Sequence, residues 1–127
     1  LCPDLTFQCA ALLLTRVISK PTKRLVCVDL GHKAIASEMP PPRVRFLGWE
    51  DVAQVSHSEE HLVLETDHAD QSAVGDVLYG VPYHICPTVA LHRQAAVIVG
   101  GRCVDTWDVT ARDRVCEVDA SLVFGVR

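Results

Sequence analysis

Apolar and polar positions follow the spacing of strands over much of the chain. The runs 24–30 (RLVCVDL), 61–66 (HLVLET) and 76–83 (DVLYGVPY) are short, rich in β-branched and large apolar residues, and bounded by turn formers. That pattern predicts strands. Residues 95–110 (AAVIVGGRCVDTWDVT) predict two strands about Gly100-Gly101, because a two-residue hairpin turn needs positive φ and glycine supplies it. Segment 6–19 (TFQCAALLLTRVIS) fits a helix and a strand equally. Residues 49–60 predict a short strand and a loop, 68–77 a turn region leading into a strand, and 114–127 leave room for an edge strand. Three consecutive prolines at 40–42 cannot sit inside a helix or a central strand, so 39–43 is a stiff connection. There is no βαβ alternation and no glycine-rich phosphate loop, which excludes dinucleotide-binding and P-loop folds. The expected class is mainly β, barrel-like or sandwich-like.

Composition narrows the function more than the fold. At 127 residues the chain is the size of one domain, and 49% hydrophobic residues are enough to fill a core. The net charge of -4 and scattered basic residues, clustered only at Lys20, Lys23 and Arg24, exclude a nucleic-acid partner. No apolar run reaches the roughly eighteen residues of a membrane-spanning helix. The stretch CAALLL (9–14) is short, has no basic stretch before it and meets Arg16 at once, so it is expected in the core and not in a leader. Six Cys match no disulfide framework, and several lie in apolar runs where a thiol packs as a small hydrophobe. Reduced thiols and a cytoplasmic location are expected.

Three clusters could carry chemistry. In VPYHICPTVALH (81–92), His84 and Cys86 are two apart in a β-like run, which would put both on one face of a strand. Imidazole and thiolate are good ligands for zinc-like ions, but two neighbouring core side chains give the same pattern. Tyr83 alternates with them and is expected on the opposite side. The HSEEH stretch (57–61) fits the H-x-x-E-H pattern of inverted zinc metallopeptidases, yet strand-like LVLET follows it immediately; a solvated polar turn explains it better. DLGHKA (29–34) reads as a turn with a surface Lys33, though an amine there could serve as nucleophile or phosphate ligand. His32, His68 and His92 are expected at the surface.

The stretch GDVLYGVPYHICPTVALH (75–92) resembles the signature of the D-serine dehydratase-like domain, the C-terminal part of metal-activated pyridoxal enzymes such as D-serine dehydratase and D-threonine aldolase. Gly75-Asp76, Pro82, His84, Cys86, Pro87, Thr88 and Leu91 match in order, and Ala90 stands where Asn is common. ISKPTKRLVCVDLGHKAIASE (18–38), SEEHLVL (58–64) and GGRCVDTWDVTAR (100–112) resemble further elements of the family, so residues 5–112 are matched by motif order and 113–127 form a tail.

The resemblance implies that His84 and Cys86 ligate a divalent ion, with water and the substrate hydroxyl in the other positions. A thiolate favours zinc over manganese. It implies His61 as a second-shell or substrate-side group. It also implies a D-3-hydroxy amino acid substrate, a homodimer, and pyridoxal phosphate bound through a lysine of an N-terminal (β/α)8 barrel belonging to an alanine racemase-like enzyme. Nothing in 127 residues can be that barrel, and Lys33 lies in the wrong domain to be that lysine. The chain is therefore expected to be the C-terminal β domain alone, 1–127, inactive by itself. A cysteine at 86 tilts the expectation toward the dehydratase type over the aldolase. The competing expectation is a non-catalytic β domain that serves assembly or packing.

Overall fold

The computed structural model describes residues 8–113. They divide into two compact units between Leu91 and His92. The first unit holds strands β1 (Leu13–Ser19), β2 (Leu25–Val28), β3 (Val44–Phe46), β4 (Ala53–His57), β5 (Leu62–Glu65) and β6 (Val77–Pro82), a 3-10 turn at Asp67–Gln71, and helix α1 (Ile85–Ala90). The strands form one six-stranded sheet in the order β3-β6-β1-β2-β5-β4, with every pairing antiparallel. The sheet curls into a half-barrel, so the mainly β expectation holds.

Strand periodicity explains the core. Alternate residues face inward: Val17 on β1, Val26 and Val28 on β2, Val44 and Phe46 on β3, Leu62 and Leu64 on β5, and Leu78 on β6. Leu30, Ile35 and Ala69 complete the cluster from the loops. Burying each large side chain contributes roughly 1.5–3 kcal/mol. Gly80 lies under Phe46 and Val44 for lack of room: a Cβ there would stand 2.5 Å from Val44 Cγ2.

Within the ambiguous segment 6–19, Leu13–Ser19 is strand β1, and residues 9–12, expected in the core, are exposed. The period of β1 was hidden because its outward positions are apolar too. Leu14 is 57% exposed and lies directly across from Tyr79, itself 48% exposed, on the outer face. Thr15 faces inward, where its hydroxyl donates to Asp29 Oδ1 at 2.5 Å; the same oxygen accepts the Arg16 N–H at 2.7 Å. Asp29 thereby ties the end of β2 to β1.

The second unit holds β7 (Gln94–Val99) and β8 (Arg102–Asp108), paired as the expected hairpin. Gly100 and Gly101 both have positive φ, 57° and 76°, as a type I′ turn requires. Cys9, Cys27, Cys86 and Cys103 are free thiols. Cys27 is buried as expected, but Cys103 is exposed, because all of β8 is exposed. Cys2, Cys116 and the edge strand expected in 114–127 lie outside the described residues. Among the described residues, no helix is long and apolar enough to cross a membrane.

Candidate metal centre

β6 ends at Pro82, so the expected strand does not reach the proposed ligands. His84 is the N-cap residue of α1 and Cys86 lies in its first turn. His84 and Cys86 therefore sit on a strand-to-helix turn and not on one face of a strand. The physical reason is local. Pro87 falls in the first helical turn, where its missing N–H costs nothing. The Thr88 hydroxyl donates back to the His84 carbonyl at 2.7 Å, closing that turn. His84 and Cys86 are both exposed on this turn. Tyr83 is exposed as well, between the strand and the helix, and not on the back of a sheet.

The loop that carries Glu38 meets the start of α1 at His84. The Nδ1 of His84 is hydrogen-bonded to Glu38 Oε1. Both side chains remain about half exposed, at 48% and 46%. The Glu38 carboxyl is held below its usual range, first by its own backbone N–H and then by His84 and Arg43. Buried Thr88 accepts the Ala36 N–H at 3.1 Å on the same hydroxyl that donates to His84, so the loop before Glu38 is stitched to α1.

On the other side, Arg43 organises the proline-rich connection, whose Pro41–Pro42 bond is cis. Its Nε donates to the Met39 carbonyl at 2.7 Å, and its Nη1 donates to His57 Nδ1 at 2.7 Å. Its backbone N–H reaches Gln54 Oε1, and its carbonyl accepts from Tyr83 N–H at 2.9 Å.

His57 is a fixed, neutral imidazole. Nδ1 accepts from Arg43, so Nε2 carries the proton and donates to the Leu30 carbonyl at 2.9 Å. Burial pushes its pKa down, and neighbouring His32 and Arg43 push the same way. His32 meets it edge-to-face, with ring centroids 4.2 Å apart. The expectation that His32 is a surface group is thus corrected: it is half-buried, and its Nε2 is buried with no partner among the described residues. His68 is likewise half-buried, stacked on Trp49 at 5.3 Å. The packing of imidazoles against each other and against indole draws them in, and nothing in a lone histidine's neighbours along the chain signals it.

The DLGHKA turn closes against the β4–β5 connection. His32 and Lys33 donate backbone hydrogen bonds to the Ser58 and Glu59 carbonyls, at 2.9 and 3.1 Å. Gly31 is required by this approach, since a Cβ there would stand 2.1 Å from Glu59 O. Lys33 is an exposed cation whose pKa is raised by Glu60 and Glu59; its Nζ lies 2.7 Å from Glu60 Oε1. That makes it a poor amine nucleophile. HSEEH is a strand end and a turn, with no helix to align its histidines. His61 is exposed, and no hydrogen bond joins its ring to His84 or Cys86 among the described residues.

His84 and Cys86 are of the donor types that a zinc-like ion takes. Glu38 occupies Nδ1 of His84, which leaves Nε2 as the free ring nitrogen, and Cys86 offers an exposed thiol two residues on. Imidazole nitrogen with sulfur suits zinc. Among the described residues, no three His, Cys, Asp or Glu side chains converge as a complete ligand set. Two protein donors would leave open positions, as a catalytic ion needs. Nothing in the sequence signalled a role for Glu38, Arg43 or Thr88: Glu38 and Arg43 come from a distant loop, while Thr88 stands on α1 two residues past Cys86.

The family described as "Putative serine dehydratase domain" matches residues 10–98. The chain belongs to that family. It is 32% identical over 109 residues to a D-threonine aldolase of an Arthrobacter species, covering 85% of this chain and 28% of the aldolase. The crystal structure of D-threonine aldolase from Filomicrobium marinum superposes with a TM-score of 0.75 at 27% identity, over 85% of this chain and 29% of that one. An alanine racemase-like protein of Idiomarina loihiensis shares the fold, with a TM-score of 0.62 at 24% identity over 76% of this chain and 30% of that one. The chain thus spans under a third of these larger relatives. An uncharacterized protein of Mycobacterium tuberculosis differs in this respect: it is 29% identical over 115 residues, which cover 87% of this chain and 86% of that protein.

Proposed function

We propose that this chain is the metal-carrying C-terminal domain of a pyridoxal-phosphate-dependent lyase acting on D-3-hydroxy amino acids, by D-serine dehydration or D-threonine aldol cleavage. The observation that carries the reading is His84, held by Glu38 at Nδ1 with Nε2 free beside the Cys86 turn, in a chain matching the family along most of its length. His84 and Cys86 would hold the ion, zinc before manganese. When bound, the ion would act as a Lewis acid toward the substrate β-hydroxyl, and the cofactor of the N-terminal barrel domain would serve as electron sink.

The chain's own residues do the rest. Thr88 and Glu38 fix the ligand turn, and Arg43 with His57 fixes the loop that carries Glu38. His61, exposed and not bonded to either ligand, is assigned to the substrate side. The apolar pair Leu14 and Tyr79 on the outer face of the sheet supports coverage by a further domain or a second subunit. Without the barrel the chain is expected to be inactive, as part of a cytoplasmic homodimer when whole. Cys86 favours the dehydratase type.

A second reading, a non-catalytic β domain, is favoured by one observation: the mycobacterial relative is matched over 86% of its length and so offers no room for a barrel. Zinc and manganese content after dialysis separates the two, measured on the wild-type chain, His84→Ala and Cys86→Ala. Near-stoichiometric zinc in the wild type, lost in both variants, is expected. Equal, trace metal in all three would overturn the metal centre and leave the second reading.

A further inference from the structure

The contact between Glu38 and His84 joins a carboxylate from a distant loop to the first of the two candidate ligands. We propose that Glu38 is the positioning residue of the metal centre: its carboxylate fixes His84 as the Nδ1–H tautomer and presents Nε2 as the ring's sole lone pair. This rests on the reading that His84 and Cys86 hold the ion.

A neutral imidazole has one donor nitrogen and one acceptor nitrogen. A carboxylate only accepts, so the ring nitrogen facing Glu38 Oε1 must carry the proton. The remaining nitrogen is then free to coordinate. A carboxylate behind a ligating histidine also raises the ring's basicity and sets its orientation. Glu38 touches the ring and acts through it.

The contact is supported from both ends, which separates it from a chance surface pair. His84 is held through its carbonyl by the Thr88 hydroxyl, and that same hydroxyl takes the N–H of Ala36, two residues before Glu38. Beyond Glu38, the Met39 carbonyl accepts from Arg43 Nε, Arg43 Nη1 donates to His57 Nδ1, and His57 Nε2 donates to the Leu30 carbonyl. The loop that carries the carboxylate is therefore tied to α1 on one side and to β4 on the other. A surface ion pair without such supports contributes little. Here the value lies in orientation, which a half-exposed pair can supply if its backbone is fixed.

The test uses the full chain with zinc as the probe and two variants, Glu38→Ala and Glu38→Gln. Long-range nitrogen–proton correlation spectra of the metal-free protein at pH about 8.5, well above the ordinary imidazole range, report the His84 tautomer directly. Wild type and Glu38→Gln, which both keep an acceptor, are expected to show protonated Nδ1. Glu38→Ala is expected to shift His84 toward the Nε2–H form. Competition with a chelator should show zinc binding weakened about 10- to 100-fold in Glu38→Ala, with Glu38→Gln recovering part of the loss. A merely structural role would not move the tautomer. Zinc affinity in Glu38→Ala within about twofold of wild type, with an unchanged tautomer, would overturn the role of Glu38 and leave the metal centre standing. A wild-type chain that shows the Nδ1–H tautomer but binds no zinc would overturn the metal centre instead.

Discussion

Replacing Thr88 by Val tests the stitch between α1 and the loop that carries Glu38. The side chain is 1% exposed, and its hydroxyl both accepts from Ala36 N–H and donates to the His84 carbonyl. Valine has nearly the same shape but neither bond. The His84 carbonyl can still accept the first intrahelical bond, as an N-cap carbonyl does. The Ala36 N–H has no such alternative: the residue is 8% exposed, so its donor is left unpaired and dry. An unsatisfied buried donor costs about 1–3 kcal/mol, and the lost back-bond adds about 0.5 kcal/mol. The expected destabilisation is about 2–3 kcal/mol. In urea, with a slope of about 1.5 kcal/mol per molar for a domain of this size, the midpoint should fall by about 1.3–2 M. Thr88→Ser is the control. It keeps the hydroxyl and loses one buried methyl, worth about 1 kcal/mol. Equal slopes would confirm that stability alone has changed. A Thr88→Val midpoint within about 0.3 M of wild type, or a serine variant weaker than the valine variant, would refute the hydroxyl's role.

Two further outcomes follow from the packing and the charges. Gly31→Ala should cost about 3 kcal/mol or more, because its Cβ would stand 2.1 Å from Glu59 O and one backbone must move; hydrogen exchange at His32 and Lys33 N–H should accelerate as their bonds to Ser58 and Glu59 break. His57 has its pKa lowered first by burial and then by His32 and Arg43, against the opposing pull of the Leu30 carbonyl. The unfolded chain takes up that proton near the ordinary value of 6.5 while the folded chain resists it, so stability is full above that pH and falls below it, down to the lowered folded value. Urea midpoints from pH 8 to 5 should therefore decline on the acid side in wild type and decline less steeply in His57→Gln; parallel declines would remove His57 as a source.

The strands at 61–66 and 76–83 were legible as short apolar runs and the hairpin from its two glycines, but β3 was not: three residues, with Arg45 between buried Val44 and Phe46, are too few to show a period. β1 was not, because Leu14 is apolar yet faces outward, so the alternation that marks a half-buried strand is missing. His84 and Cys86 stood out by chemistry and spacing, but their setting did not. The composition of YHIC reads as strand, and only the tolerance of the first helical turn for Pro87, with the Thr88 back-bond, converts it to a helix start. Glu38 and Arg43 sit in a polar, proline-rich loop with no periodicity, and their partners lie 46 and 14 residues away. Tertiary structure alone brings such residues together. The same holds for His32, whose burial depends on a second imidazole arriving from β4.

The end of β6 at Pro82 has an evolutionary consequence. Because Cys86 stands on an exposed helical turn and not in a strand, no rung of the sheet's backbone pairing depends on it. A ligand placed there can be exchanged, sulfur for oxygen, without disturbing the register of any neighbouring strand. On the proposed reading of Cys86 as a ligand, the scaffold and the donor atom can therefore diverge independently: one half-barrel can carry different donors at this turn while its interior stays the same.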